Sequence, residues 1–124
     1  MEATMIAYAA ADLIWATRIK RTAEALGLRA RPCRTPDALR DRLADSDVRA
    51  FIVDLTLGEP AIDLVATVRE HPAGRRVRVL AFGPHVQRDL MQRARDAGAD
   101  DVLPRGALDR DLPDLLIRLD ATER

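Results

Sequence analysis

Few residues in this chain are placed to do chemistry. Asp54 follows directly on the apolar run Phe51-Ile52-Val53, where a buried strand would deliver its carboxylate to one edge of a sheet. Asp12 follows an apolar run near the amino terminus, and His71 and His85 belong to different loops. We find no nucleophile–base pair, metal-ligand cluster or glycine-rich phosphate loop. We therefore expect that the protein is not an enzyme and that both histidines are ordinary loop residues.

Composition excludes several classes of protein. The 124 residues contain 20 Lys+Arg and 20 Asp+Glu, so the basic excess of a nucleic-acid-binding module is missing. An aromatic content of 3% argues against a base-stacking surface. A single cysteine, Cys33, rules out an internal disulfide and is expected to fill a small apolar space. No apolar run has membrane-spanning length, and no signal peptide opens the chain. We expect one cytoplasmic domain over residues 1–124, without contact to membranes or nucleic acid.

Strand-like and helix-like segments alternate along the whole chain. Short apolar runs predict strands near residues 5–9, 28–34, 50–54, 77–82 and 101–104. Helical spacing predicts helices between them and a last helix with Leu112, Leu115, Leu116 and Leu119 inward. Pro32 places the second strand at an edge. The pattern predicts an α/β fold of the flavodoxin-like (βα)5 type, a doubly wound, five-stranded parallel sheet in the order 2-1-3-4-5.

Two of the predicted helices define inward faces that a structure can check. The first, over about residues 12–26, has Trp15, Ile19, Ala23 and Leu26 at helical spacing, with Asp12 as its cap. The fourth, over about residues 86–97, presents Val86, Leu90 and Ala94 on one side. In folds of this type, sites lie beyond the carboxyl ends of the strands. That rule brings the residues after the first, third, fourth and fifth strands together.

The stretch Ala97-Gly98-Ala99-Asp100-Asp101-Val102-Leu103-Pro104-Arg105 resembles response-regulator receiver domains of the CheY-like family. In that family an Ala-Gly-Ala-Asp turn leads to a strand ending in Leu-Pro-Lys. Phe51-Ile52-Val53-Asp54-Leu55 is similar to the family's third strand, which presents a phospho-accepting aspartate. The resemblance covers nearly the whole chain and implies the same fold. It also implies a protein partner, either a sensor kinase or a downstream signalling protein.

The resemblance also shows what this chain has lost. Receivers bind Mg²⁺ with an acidic pair and the aspartate, and contact the phosphoryl group with a hydroxyl and a lysine. Here Asp54 is the phospho-acceptor equivalent, but the other positions are degenerate. The acidic pair falls on Ala10 and Ala11, with Asp12 adjacent, and the lysine falls on Arg105. The hydroxyl position falls on Gly83, or on Phe82 if the alignment slips by one, and neither supplies a hydroxyl. Val102 stands where receivers have an aromatic residue that swings inward on phosphorylation. One carboxylate is a poor Mg²⁺ site, so we expect no metal, no cofactor and no catalytic residue.

We therefore interpret the chain as a degenerate pseudo-receiver. The expected function is that of a stand-alone signalling module of a two-component or phosphorelay-type system, acting by protein–protein interaction without Mg²⁺-dependent aspartyl phosphorylation. One alternative is an atypical receiver that is still phosphorylated on Asp54. Another is a sensor that binds an anion or nucleotide near Arg105 and Gly83.

Two structural expectations accompany this interpretation. An ion pair with Arg105 would make Asp54 a structural carboxylate at the sheet edge. We also expect at most a weak, salt-sensitive homodimer through the fourth helix, fifth strand and fifth helix, because opposite charges on one face are self-complementary under two-fold symmetry. The residues expected on that face are Arg88, Gln92, Arg95, Asp100 and Asp101.

Overall fold

Five strands and five helices alternate in the computed structural model, which describes residues 4–121. The strands are β1 (Thr4–Ala9), β2 (Ala30–Pro32), β3 (Asp47–Asp54), β4 (Arg78–Gly83) and β5 (Asp101–Pro104). The helices are α1 (Leu13–Ala25), α2 (Pro36–Asp45), α3 (Glu59–Glu70), α4 (Arg88–Ala97) and α5 (Arg105–Asp120). The prediction of one domain over residues 1–124 reaches beyond the described range and stays a prediction.

The five strands form one parallel sheet in the order β2-β1-β3-β4-β5. This confirms the predicted fold and strand order, including the edge position of the strand that contains Pro32. Near the carboxyl ends, Ala9 lies opposite Val53 and Gly83 opposite Pro104. The residues that follow β1, β3, β4 and β5 therefore meet at one edge of the sheet.

Helices cover both faces of the sheet and create two apolar layers. On one face, α2, α3 and α4 contribute Leu39, Leu64 and Met91. On the other face, α1 and α5 contribute Ile19 and Leu112. The runs Met5–Ala9 of β1 and Ala50–Val53 of β3 are buried on both faces of the sheet, which is why their residues are apolar without alternation.

Residue-level packing departs from the sequence prediction at two helix ends. Leu26 is 37% exposed because α1 ends at Ala25 and Leu26 only caps it. Val86 is 73% exposed because a turn, in which the Gln87 amide donates to the Pro84 carbonyl, delays the start of α4 until Arg88. Met91 then occupies the inward position. None of the helices between residues 4 and 121 has the length and apolarity to span a bilayer.

Candidate functional site

Asp54 ends β3 with a fully buried carboxylate whose two oxygens are both engaged. Its Oδ2 accepts a hydrogen bond from the Ala11 amide over 3.0 Å. Its Oδ1 accepts from the Thr56 amide over 3.0 Å and from the Thr56 hydroxyl over 2.5 Å. The carboxylate thus connects the loop after β1 to the 3₁₀ turn at Leu55–Leu57. A carboxylate held by three donors is a well-satisfied structural group.

The expected ion pair between Asp54 and Arg105 is wrong. Within residues 4–121, Arg105 forms no ion pair, and its buried Nε has no hydrogen-bond partner. Arg105 begins α5 directly after Pro104. The physical reason is local: Thr56 and Ala11 supply the donors that Asp54 needs, so the carboxylate is compensated without a cation.

The structure places Ala10 and Ala11 beside Asp54, at the carboxyl end of β1. Ala10 is buried, and the Ala11 amide contacts the aspartate directly. Neither methyl group offers an oxygen to a cation. Asp12 is exposed and caps α1, with its Oδ1 accepting from the Trp15 amide over 2.9 Å. The one carboxylate adjacent to the alanine pair is thus used by the helix terminus.

Gly83 is the last residue of β4 and lies opposite Pro104, the last residue of β5. Leu55 fills the space beside Gly83. A β-carbon on Gly83 would lie 3.0 Å from the Leu55 Cβ and 3.6 Å from its Cδ1. Leu55 itself is fully buried. An apolar side chain therefore lies beside the position that the resemblance assigns to the hydroxyl of receivers. On β5, Val102 is half-buried and packs against the α2–α3–α4 layer.

We expect Gly83→Ser to lower the free energy of unfolding by about 1–2 kcal/mol, because the new Cβ overpacks a buried contact with Leu55. Gly106→Ser is the matched control, since a β-carbon there meets nothing within 4 Å. Urea denaturation of both variants checks this. A Gly83→Ser protein as stable as Gly106→Ser would show that Leu55 can move away.

Other residues of chemical interest are accounted for locally. Within residues 4–121, no group of three or more His, Cys, Asp and Glu side chains could hold a metal ion. The Nδ1 of His71 accepts from the Ala73 amide over 3.0 Å and caps a 3₁₀ turn. Desolvation raises the pKa of the buried Cys33 thiol, an effect partly opposed by Arg42. A buried thiol with a raised pKa is a poor nucleophile, so Cys33 is best explained as a small side chain that fills apolar space in the core.

Sequence reasoning missed Thr56, which contributes two of the three donors to Asp54. The signal was present, because a Thr two residues after an Asp at the end of a strand favours a local side-chain turn. It also missed Leu55 as the neighbour of Gly83. That contact joins two distant segments, so no local pattern announces it.

Of the comparisons with known proteins, the one with solved structures bears on architecture. No protein-family model and no curated protein sequence matches the chain. Solved structures do match, among them a response regulator from Thermotoga maritima, at a TM-score of 0.75 and 18% identity over 98% of this chain and 99% of that one. The receiver domain of sensor histidine kinase PA1611 from Pseudomonas aeruginosa PAO1 matches at 0.77 and 18% identity, over 96% and 98%. Chemotaxis response regulator CheY4 of Vibrio cholerae matches at 0.77 and 13%, over 96% and 99%.

The chain has the receiver-domain fold. At these identities the likeness concerns architecture alone, and the site must be judged on its own residues. The structure of the PA1611 receiver domain holds a magnesium ion in its active-site cleft. In the present receiver fold, the corresponding edge has one carboxylate, Asp54, to which Ala11 and Thr56 are hydrogen-bonded, and alanines at positions 10 and 11. These residues do not fit Mg²⁺, which needs several oxygen ligands.

The surface of α4, β5 and α5 in this receiver fold differs from the one we expected. Asp100 accepts from Arg69 Nη2 over 2.7 Å and from the Val79 amide over 2.8 Å. Asp101 is held by Arg78 in a two-point contact at 3.0 and 3.2 Å. Both acids of the predicted face are thus paired within the chain. The weak homodimer expected through this face stays a prediction, because the exposed acids Asp89 and Asp96 remain on α4 beside its arginines.

Proposed function

We propose that the chain is a receiver-like signalling module of a two-component or phosphorelay-type system that acts through protein–protein contacts, without Mg²⁺-dependent phosphorylation of an aspartate. The proposal makes Asp54 a structural residue. It assigns no metal, cofactor or catalytic residue to the sheet edge. A sensor kinase or a downstream signalling protein is the proposed partner, and a cytoplasmic location stays a prediction.

The observation that carries the proposal is the state of the Asp54 carboxylate. A phospho-acceptor needs an oxygen that is free to attack and a cation to neutralise the incoming dianion. Asp54 is 0% exposed, and both of its oxygens accept hydrogen bonds from Ala11 and Thr56. The neighbouring alanines offer no metal ligands. The chain therefore keeps the receiver fold, but its Asp54 carboxylate is buried and hydrogen-bonded instead of free to react.

The alternative of a working phospho-receiver requires two changes at once. Asp54 would have to leave the Thr56 hydroxyl, and a metal would have to bind with one side-chain carboxylate. The alternative of a small-ligand sensor near Gly83 and Arg105 receives no support either, because Leu55 fills the space beside Gly83. A protein-interaction module is the function that requires no change in the hydrogen bonds of Asp54.

We expect Mg²⁺ to leave the site unchanged, and the amide NMR signals of Ala11 and Thr56 are its natural reporters because both N–H groups donate to Asp54. Titration with Mg²⁺ to about 10 mM should move these two signals no more than those of exposed amides, since one carboxylate holds the ion weakly. The amide of Ala73, which donates to His71 Nδ1 just before β4, at the opposite edge of the sheet from Asp54, is an internal control. A saturable shift confined to Ala11 and Thr56 would contradict the proposal.

A further inference from the structure

The last helix contains a proline in its interior. Pro113 lies near the middle of the 16-residue helix α5 and has no N–H group, so it cannot donate to the carbonyl of Asp109, four residues earlier. The proline ring also crowds that carbonyl, which kinks or weakens a helix at this point. The Asp109 carbonyl is therefore left for a donor from outside α5, either water or another segment of the chain.

Arg18 of α1 supplies that donor. Its Nη2 donates to the Asp109 carbonyl over 3.1 Å and also lies 2.6 Å from the Oδ1 of the same residue. One guanidinium thus contacts both the released carbonyl and the carboxylate of Asp109. A hydrogen bond from a charged donor is stronger than one from a neutral amide. Across the helix interface, α1 therefore replaces the hydrogen bond that Pro113 removes from α5.

Aromatic rings hold the Arg18 guanidinium in place. Its Cζ lies 5.9 Å from the centroid of the Trp15 ring, within the range of a cation–π contact. Trp15 is buried and packs against Phe82 of β4, with 5.0 Å between the ring centroids. The group that α1 presents to α5 is therefore supported by the core of the fold.

The Arg18–Asp109 contact is nevertheless accessible from the surface. The side chains of Arg18 and Asp109 are 46% and 52% exposed, and Pro113 is exposed as well. Beyond the proline, α5 is held to the sheet by buried Leu116 and Leu119. Exposed polar contacts open more readily than buried apolar ones, so this contact can open while the apolar layer beneath it stays in place.

We propose that the Arg18–Asp109 contact is a conformational device that controls the mobility of α5 at its proline break. When the contact is closed, α1 and both halves of α5 behave as one unit. When the contact opens, the break loses its bridging hydrogen bond, and the second half of α5, residues 114–120, fluctuates about Pro113. This inference goes beyond the proposed function, because it depends neither on the state of Asp54 nor on a partner.

Amide hydrogen exchange of the full chain tests the device, with residues 114–120 as the reporter and α3 as the internal reference. Arg18→Ala should raise the exchange rates of residues 114–120 about tenfold, because one hydrogen bond from a charged donor is lost. Exchange in α3 should not change. Arg21→Ala is the matched control and should exchange like the wild type, since Arg21 is exposed on the same helix and forms no ion pair within residues 4–121.

Two further variants show whether Arg18 acts through the proline break. Pro113→Ala restores an N–H group to the Asp109 carbonyl, and the exposed position leaves no cavity. In that background, Arg18→Ala should raise exchange about threefold at most, because only a half-exposed ion pair is then lost. Asp109→Ala removes the carboxylate but keeps the carbonyl, so it should raise exchange less than Arg18→Ala does.

The inference is overturned by an Arg18→Ala protein whose α5 exchanges like that of the wild type, or by an equal rise in α3, which would mean global unfolding. It is equally overturned by a tenfold effect of Arg18→Ala in both the Pro113 and the Pro113→Ala backgrounds. An Asp109→Ala protein that matches Arg18→Ala would overturn it as well, because the carboxylate and not the carbonyl would then be the essential contact. So would an Arg21→Ala protein with the same rise as Arg18→Ala.

Discussion

Replacing Arg69 with alanine is expected to lower the free energy of unfolding by about 3 kcal/mol. Arg69 lies on α3, and its guanidinium joins two other segments, the connection before β4 and the connection between α4 and β5. Nε donates to the Gly98 carbonyl over 2.9 Å, Nη1 to the Gly74 and Val77 carbonyls over 3.0 and 2.8 Å, and Nη2 to Asp100 over 2.7 Å. The substitution leaves these acceptors without their donor, and hydrogen bonds to a charged group are worth more than neutral ones.

Two further variants of the arginines show whether this effect comes from the contacts of Arg69. Arg69→Lys keeps the charge but not the planar set of donors, so we expect an intermediate loss. Arg95→Ala removes an exposed α4 arginine and should change stability by less than about 0.5 kcal/mol. Urea denaturation of the three variants provides the comparison. An Arg69→Ala protein within that same margin of the wild type would show that water replaces the guanidinium at no cost.

Restoring the acidic pair is expected to create a Mg²⁺ dependence that the wild type does not have. The double variant Ala10→Asp, Ala11→Asp sets two carboxylates beside Asp54, and the Ala10 position is buried. Without metal, crowded like charges should cost about 3 kcal/mol or more. Mg²⁺ at ten times its dissociation constant should then return about 1.4 kcal/mol by binding only the folded state. Thermal unfolding with and without Mg²⁺ measures both effects.

The triple variant that adds Arg105→Lys refines this experiment. A compact ammonium leaves more room at the sheet edge than a guanidinium, so the triple variant should respond to Mg²⁺ at least as strongly as the double one. Ca²⁺-free buffer with added Na⁺ at equal ionic strength controls for general screening of the carboxylates. If neither variant gains stability from Mg²⁺ while remaining folded, the placement of positions 10, 11 and 54 around one site is wrong.

The fold could be predicted from the sequence because its signals are local and agree with one another. Buried parallel strands show up as short apolar runs, and Pro32 indicates that β2 lies at one edge of the sheet. The Thr35-Pro36 pair likewise predicts the start of α2, where the Thr35 hydroxyl accepts from the Ala38 amide. Errors appeared at the ends of elements: caps and turns changed the helix ends, and β2 and β3 differ from their predicted bounds by two or three residues.

The site was harder to predict, because its contacts depend on which of several donors reaches a buried acceptor. The sequence pattern predicted that Asp54 and Arg105 lie at the same edge of the sheet. Because their charges are opposite, it also suggested an ion pair between them. The structure instead satisfies Asp54 with the hydroxyl and amide of Thr56, which are closer along the chain. Whether Asp54 takes a nearby neutral donor such as Thr56 or a distant cation such as Arg105 depends on side-chain geometry. Sequence periodicity and composition contain no information on that geometry.

The most direct test of the account is the intact mass of the protein after incubation with a small phosphodonor and Mg²⁺. We expect the wild type to keep its unmodified mass, because the Asp54 carboxylate is buried, fully hydrogen-bonded and without metal ligands beside it. A receiver domain with an intact acidic pair, treated in parallel, shows that the donor is active. A wild-type mass raised by one phosphoryl group, and absent in Asp54→Asn, would contradict the account.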